Sequence, residues 1–321
     1  MRMSITKDIE AVALHLRAGG IIGLPTETVY GLAGNALDQV AIAAIYHLKE
    51  RPASNPLIAH VGSIEQAKSL CAEWSAEAEL LVKHFWPGPL TLLVKKKDLV
   101  PAALTAGLVR VAIRMPNHPV ALDLLSRLPF PLAAPSANPY MRISPTSALQ
   151  VETYFGDKLP YILEGGICER GVESTIIGWE DGKAVLYRPG ALAQEEIERV
   201  IGPLAMPASS TVIVAPGMAK RHYAPQTKLI LTNDIEKSIK EHDGLRLGIL
   251  SFSKTFSADT ILRMQSLSKQ GDLREAACNL YAALQSFDEV SLDLIIAEVF
   301  PEEGLGRTIN DRLRRASVEL E

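Results

Sequence analysis

Residues 25–32 read PTETVYGL and directly follow the short apolar run Ile21–Leu24. An apolar run that is broken by proline is typical of a buried strand at the point where the chain leaves the core. Side chains beyond that point become available to a ligand. We therefore expect four residues to line a cleft: Thr26, Glu27, Thr28 and Tyr30.

The same order of strand, polar turn and helix recurs along the first part of the chain. The periodicity of apolar residues predicts helices over residues 37–48, 64–72, 75–85, 118–128 and 194–201. It predicts strands over residues 57–61, 90–94, 109–114, 130–134, 161–163, 174–178 and 184–187. Such alternation is typical of a mixed α/β fold.

A proline-rich segment follows and divides the chain. It contains Pro203, Pro207, Pro216 and Pro225, which is typical of a semi-rigid linker. Beyond it, short apolar runs alternate with helical patterns, which predicts a smaller, Rossmann-like open α/β sheet. We therefore expect a first domain over residues 1–205, a linker over residues 206–226 and a second domain over residues 227–321.

The composition excludes several classes of protein. Of 321 residues, 47% are hydrophobic and 22% are charged, the balance of a globular protein. The net charge of −4 is spread evenly, since residues 1–205 carry 19 Lys and Arg against 21 Asp and Glu, and residues 206–321 carry 14 against 16. Tight direct binding to nucleic acid, which needs a basic surface, is therefore not expected.

Cysteine usage and hydropathy point to the cytoplasm. Cys71, Cys168 and Cys278 are widely spaced and form no CxxC motif, so neither a disulfide framework nor a structural zinc site is expected. No apolar stretch approaches the roughly 20 residues of a membrane helix. We expect a cytoplasmic protein with no membrane span.

The polar residues near the predicted strand ends suit anion binding. The GxxxxGK[ST], GxSxG and HExxH signatures do not occur in the sequence. The available groups are instead hydroxyls, amides and cations, which suit a polyanion beside a small polar molecule. By residue type alone, Glu27 is a candidate general base.

Several spaced motifs together resemble the Sua5/YrdC/YciO family of threonylcarbamoyl-adenylate synthases. They are PTETVYGL, Lys49-x-Arg51, Ser136-x-Asn138, GVESTI at residues 171–176 and Arg188-Pro189-Gly190, in the order of the family. HYAP at residues 222–225 and GLGRTINDRLRRAS at residues 304–317 resemble the two-domain Sua5 form. The resemblance implies a YrdC-like twisted mixed sheet, with helices around a concave cleft, followed by a Sua5 C-terminal domain.

The resemblance also implies a reaction. The family joins L-threonine, bicarbonate or CO2, and ATP into threonylcarbamoyl-adenylate and releases pyrophosphate. The product then serves the tRNA threonylcarbamoyl-transfer machinery, which makes N6-threonylcarbamoyladenosine at position 37 of tRNA. Mg2+ would accompany ATP, and no metal held by the protein itself is expected.

Motif positions imply a role for each site residue. Lys49 and Arg51 would be the catalytic cations on the phosphates. The implied ATP contacts are Lys49, Arg51, Asn55, Ser136, Asn138, Ser144, Arg188 and Tyr223. The implied threonine contacts are Thr28, His60, Arg114 and Ser174, with Arg114 on the carboxylate. The linker would fold over the site as a lid.

Other interpretations remain at this stage. An RNA-binding or ribosome-associated protein of the same fold is the main alternative. A third candidate function is carbamoyl transfer in hydrogenase maturation. It would require additional zinc-finger and acylphosphatase modules, and neither is recognised in this sequence. Three arginines near the end of the chain predict an exposed helix face, with contact to the first domain or to the tRNA machinery as the alternatives: Arg312, Arg314 and Arg315.

Overall fold

The structure is a computed structural model that describes residues 5–207 and 222–317. It confirms the predicted mixed α/β fold with a second, smaller sheet. Ten strands form the larger sheet: β1 (Ile5–Thr6), β2 (Ile22–Leu24), β3 (Gly31–Asn35), β4 (Ile58–His60), β5 (Leu90–Lys95), β6 (Arg110–Arg114), β7 (Leu132–Ala133), β8 (Ile162–Leu163), β9 (Thr175–Glu180) and β10 (Lys183–Arg188). Their order is β1-β8-β2-β3-β7-β4-β6-β5-β9-β10, with parallel and antiparallel pairs mixed.

Seven helices accompany the larger sheet in the described part of the chain. They are α1 (Ile9–Arg17), α2 (Gln39–Lys49), α3 (Ile64–Leu70), α4 (Ala76–Phe85), α5 (Pro119–Ser126), α6 (Ala148–Phe155) and α7 (Gln194–Ile201). The side chain of Asp38 caps α2 by accepting a hydrogen bond from the backbone N–H of Val40. The helix ends at Lys49 because Glu50 adopts a left-handed conformation with φ of 54°.

The smaller sheet has four strands, and all of its pairs are parallel. In chain order they are β11 (Leu229–Thr232), β12 (Leu247–Ser251), β13 (Ile261–Ser266) and β14 (Leu294–Glu298). The helices of this part are α8 (Ile235–Glu241), α9 (Leu273–Phe287) and α10 (Gly304–Ala316). The predicted domain limits stay predictions, and residues 208–221 of the predicted linker lie outside the described residues.

One hydrophobic core connects the two sheets. Val29 and Val172, from loops of the larger sheet, belong to the same buried cluster as Leu280 of α9 and Leu313 of α10. The two helices therefore pack directly against the loops that follow the strands of the larger sheet. None of the described helices has the length and apolar character needed to cross a bilayer.

Candidate active site

The pairing of three neighbouring strands brings polar residues into one row across the larger sheet. β4 and β6 run parallel, with His60 beside Arg114. β5 runs antiparallel to β6, with Thr91 beside Arg114. The hydroxyl oxygens of Thr91 and Ser174 are 2.7 Å apart, which joins the turn before β9 to the same row. Strand pairing therefore assembles residues that are distant in the sequence.

The strand ends and the loops beyond them enclose a cleft. Its walls contain eight of the twelve predicted contact residues: Thr28, Arg51, His60, Arg114, Ser136, Ser174, Arg188 and Tyr223. Three further polar residues line it: Thr26, Glu173 and His222. The other four predicted residues lie behind the wall and hydrogen-bond to residues in it: Lys49, Asn55, Asn138 and Ser144.

One group of residues surrounds Arg114, and we call Thr28, His60, Arg114 and Ser174 the Arg114 cluster. Arg114 Nη1 donates to Thr28 Oγ1 at 2.7 Å, and its Nε donates to the Gly88 carbonyl at 3.2 Å. Its Nη2 lies 2.7 Å from Glu27 Oε2, in an ion pair whose side chains are 4% and 3% exposed. A guanidinium that is held on three sides presents its remaining N–H groups in a defined direction.

His60 is uncharged in this environment. Burial, and then the charge of Arg114, lower the pKa of His60 to about 3. The imidazole is therefore neutral near pH 7, and it adds no positive charge beside Arg114. It can still form a hydrogen bond with a small polar ligand.

A second group, which we call the Arg51 cluster, contains Lys49, Arg51 and Ser136. Lys49 Nζ donates to the backbone carbonyls of Ser136 and Asn138. Arg51 Nε donates to the Asn55 carbonyl at 3.1 Å, and its Nη2 donates to Asn55 Oδ1 at 2.5 Å. Lys49 is 1% exposed and Arg51 is 7% exposed. Unlike Arg114, neither residue forms an ion pair with any of the described residues.

The electrostatics of the Arg51 cluster favour an anionic ligand. Desolvation, followed by the charge of Arg51, lowers the pKa of Lys49 well below its usual value. Desolvation also lowers the pKa of Arg51, to about 10, and that of the neighbouring Arg188. A ligand that carries negative charge would stabilise Lys49 and Arg51, because it would supply the counter-charge that the described residues do not provide to these two cations.

Glu173 connects the cleft to the helices of the smaller sheet. Its Oε1 accepts a hydrogen bond from the Ser144 hydroxyl at 2.7 Å. Its Oε2 accepts from the Tyr281 hydroxyl of α9 and from Arg312 Nε of α10, each at 2.9 Å. Burial raises the pKa of Glu173, but the charges of Arg312 and Arg188 and the hydrogen bonds outweigh it and set the pKa at about 2. The carboxylate is therefore ionised near neutral pH.

The prediction of an exposed helix face is wrong for Arg312. Its side chain is 0% exposed, and its Cζ lies 5.0 Å from the centre of the Tyr223 ring. The side chain of Arg314 is 57% exposed, as predicted. The physical reason is helical spacing: Arg312 follows the buried Ile309 by three residues and so shares its face.

The described end of the predicted linker forms part of the cleft wall. The backbone N–H of His222 donates to the Arg315 carbonyl at 3.0 Å. Tyr223 is 1% exposed, and its ring stacks on Tyr281 with centroids 5.6 Å apart. This end of the linker is thus attached to both α9 and α10.

Two family models match the chain in succession. The Sua5/YciO/YrdC model, described as "Telomere recombination", matches residues 15–190. The model described as "Threonylcarbamoyl-AMP synthase, C-terminal domain" matches residues 192–318. The chain belongs to the Sua5/YciO/YrdC family. The resemblance that the motifs indicated is thereby confirmed.

Relatives of the two-domain Sua5 kind match along nearly the whole chain. The threonylcarbamoyl-AMP synthase of Pyrococcus abyssi (strain GE5 / Orsay) is 42% identical over 325 residues, which cover 96% of this chain and 94% of the relative. That of Bacillus subtilis (strain 168) is 41% identical over 323 residues, which cover 96% and 92%. The crystal structure of P. abyssi Sua5 with L-threonine has a TM-score of 0.90 at 42% identity, and covers 96% of this chain and 94% of that chain.

Sequence reasoning about this Sua5/YciO/YrdC member missed two ion pairs at the cleft. Glu27 pairs with Arg114, and Glu173 pairs with Arg312. The alternation of side chains along a strand end could have placed Glu27 on the face opposite to its neighbours. The amphipathic spacing of α10 could have shown that Arg312 is buried, but no sequence signal identifies its partner 139 residues away.

Proposed function

We propose that this chain is an L-threonylcarbamoyladenylate synthase, a nucleotidyltransferase that joins L-threonine, bicarbonate or CO2, and ATP, and releases pyrophosphate. One observation carries the proposal: the walls of a single cleft contain Arg114, which is ion-paired and oriented, and Arg51, which is buried and forms no ion pair with the described residues. The first suits a carboxylate and the second a polyphosphate. The names of the P. abyssi and B. subtilis relatives, and the threonine complex of P. abyssi Sua5, support it.

The Arg114 cluster is the proposed threonine site. The free N–H groups of Arg114 would hold the carboxylate of threonine. The hydroxyls of Thr28 and Ser174 would offer hydrogen bonds to the polar groups of the amino acid. His60, being neutral, would contribute a further hydrogen bond without attracting a second anion.

The Arg51 cluster and Arg188 form the proposed ATP site. Arg51 and Arg188 line the cleft and would neutralise phosphate charge directly. Lys49 lies behind the wall, and it would act on the phosphates if its bonds to the Ser136 and Asn138 carbonyls opened. The remaining proposed contacts to the nucleotide are Asn55, Ser136, Asn138, Ser144 and Tyr223.

The proposed chemistry forms one N–C bond and one P–O bond. The neutral amine of threonine attacks the carbon of CO2 and gives up its proton to solvent, which leaves a carbamate; from bicarbonate, the same carbamate forms with loss of water. A carbamate oxygen then attacks the α-phosphorus of ATP, and the bond from that phosphorus to pyrophosphate breaks. The protein contributes mainly positioning and charge balance to such a transfer.

We propose that Mg2+ enters the cleft as part of the substrate MgATP. Within residues 5–207 and 222–317, no group of three or more His, Cys, Asp or Glu side chains could hold a metal ion. The carboxylate in the cleft wall, Glu173, is engaged by Arg312, Tyr281 and Ser144. We therefore propose that the ion arrives on the phosphates of ATP and reduces their charge there.

Pyrophosphate release tests the proposed reaction. We expect release from MgATP to require both L-threonine and bicarbonate, and D-threonine serves as the matched control because it has the same groups in the wrong arrangement. Mass spectrometry should detect threonylcarbamoyl-adenylate only in the complete mixture. Release that is equally fast without threonine would contradict the proposal. In the cell, the adenylate would pass to the tRNA threonylcarbamoyl-transfer machinery, and cytoplasmic location stays a prediction.

A further inference from the structure

Glu27 is a buried carboxylate that the proposed reaction does not use. The residue is 3% exposed, and its Oε2 lies 2.7 Å from Arg114 Nη2. Neither atom meets the geometry of a hydrogen bond with any described residue, so the contact is an ion pair and not a hydrogen bond. A buried carboxylate of this kind is costly unless an opposite charge stabilises it. Here that charge is the guanidinium.

The chain places Glu27 on the opposite face from its two neighbours. Thr26 and Thr28 line the cleft that contains Arg114. Glu27 instead lines a second cavity, on whose walls lie His118 and Glu169. A base that deprotonates the threonine amine must come within hydrogen-bond reach of it inside the first cleft. The position of Glu27 therefore argues against the general base that its residue type suggested.

The other contacts of Arg114 show what Glu27 adds. The hydrogen bonds to Thr28 Oγ1 and to the Gly88 carbonyl use one N–H of Nη1 and the N–H of Nε. Nη2 has no hydrogen-bond partner among the described residues, so the Glu27 carboxylate is the contact that holds this end of the planar guanidinium. The negative charge of Glu27 holds the buried Nη2 side and leaves one N–H of Nη1 outside these contacts.

We infer that Glu27 is a positioning residue for threonine: it fixes the Arg114 guanidinium in the direction that receives the carboxylate of the amino acid. The inference rests on the proposed function and assigns no chemical step to Glu27. It predicts that loss of the charge weakens threonine binding and leaves ATP binding unchanged, because the Arg51 cluster does not contact Glu27.

Glu27→Gln is the sharpest variant, because glutamine keeps the shape and removes the charge. We expect the KM for threonine to rise about tenfold, while the KM for ATP stays within about twofold and kcat changes little. Glu27→Asp, which keeps the charge, should restore part of the affinity. Glu169→Gln is the matched control, since this exposed residue lines the same second cavity and should leave all three parameters unchanged.

Binding should be measured separately from turnover. The rise in Tm caused by saturating L-threonine reports on the amino-acid site in each variant, and the Tm without ligand shows whether the variant is folded. If Glu27→Gln lowers kcat and leaves both KM values unchanged, Glu27 acts in the chemistry and the inference is wrong. A wild-type threonine KM in Glu27→Gln would also overturn it. If wild-type turnover does not require threonine, the proposed function itself fails, whatever the variants do.

Discussion

Arg51 and Arg114 lie in the walls of one cleft, but their surroundings differ in charge. Arg114 pairs with the carboxylate of Glu27 at 2.7 Å. Arg51 donates hydrogen bonds to the neutral groups of Asn55 and forms no ion pair with the described residues. A paired arginine is fixed in direction, whereas an unpaired one keeps its full charge for a ligand. The difference explains how one cleft could separate a carboxylate from a triphosphate.

The burial of Lys49 and Arg51 without ion pairs among the described residues also reduces the stability of the folded protein. Desolvation is the main reason why the pKa values of Lys49 and Arg51 are lowered. The phosphates of a bound nucleotide would lower the electrostatic free energy of these two desolvated cations. We therefore expect ATP to stabilise the folded protein.

Replacing Arg51, which forms no ion pair with the described residues, should reduce activity more than any other change considered below. We expect Arg51→Met to lower kcat/KM for ATP by about a hundredfold to a thousandfold, because an unreplaced positive charge is removed from the transferred phosphates. Steady-state kinetics with varied MgATP would measure it. Arg199→Met, at an exposed position of α7, is the matched control. A loss below tenfold in Arg51→Met would show that the Arg51 cluster is not the principal phosphate site.

Breaking the buried pair between Glu173 and Arg312 should destabilise the fold. Arg312 is the main counter-charge of the buried Glu173, so we expect Arg312→Met to lower the free energy of unfolding by about 3–5 kcal/mol. The double variant Glu173→Gln/Arg312→Met removes both charges and should recover much of that loss. Urea unfolding of the wild type, the two single variants Glu173→Gln and Arg312→Met, and the double variant would measure these losses. A double variant that loses the sum of the single losses would contradict this account of the pair.

His60 and His222, the two histidines in the cleft wall, should make the stability of the fold sensitive to acid. We expect this effect to be smaller than those of the two preceding predictions. Burial, together with neighbouring cations, lowers the pKa of His60 and of His222 to about 3 from an ordinary 6.5. The unfolded chain therefore binds more protons between about pH 6.5 and 3, and the free energy of unfolding falls as the pH falls through that range. His60→Gln should flatten part of the decline in urea-unfolding experiments. An unchanged slope in that variant would show that His60 is not the group responsible.

The fold could be predicted largely because its strands are short apolar runs that end in polar turns. β3 was not predicted, since its sequence GLAGN has low strand propensity. It forms because β2 and β7 pair with it on both sides. β13 was missed as well, because this strand at the edge of the smaller sheet is partly exposed and shows no strict alternation of apolar residues.

The sequence predicts which residues belong to the candidate site, but not how their side chains are paired. Motifs identified Arg51 and Arg114, and the structure places both in the cleft wall. They did not reveal that Arg114, unlike Arg51, has a carboxylate partner among the described residues, because the pairing depends on which way Glu27 faces at a strand end. They also placed Lys49 among the ligand contacts, which stays a prediction; they did not reveal that its Nζ donates to the backbone carbonyls of Ser136 and Asn138.

The separate affinities of ATP and L-threonine test the central claim most directly. Isothermal titration of the wild type, Arg51→Met and Arg114→Lys with each ligand would measure them. Arg114→Lys keeps the charge and loses the planar fork, so it should weaken threonine about tenfold and leave ATP unchanged. Arg51→Met should weaken ATP and leave threonine unchanged. If both variants lose both ligands to the same extent, the cleft is not divided between an oriented carboxylate site and a phosphate site.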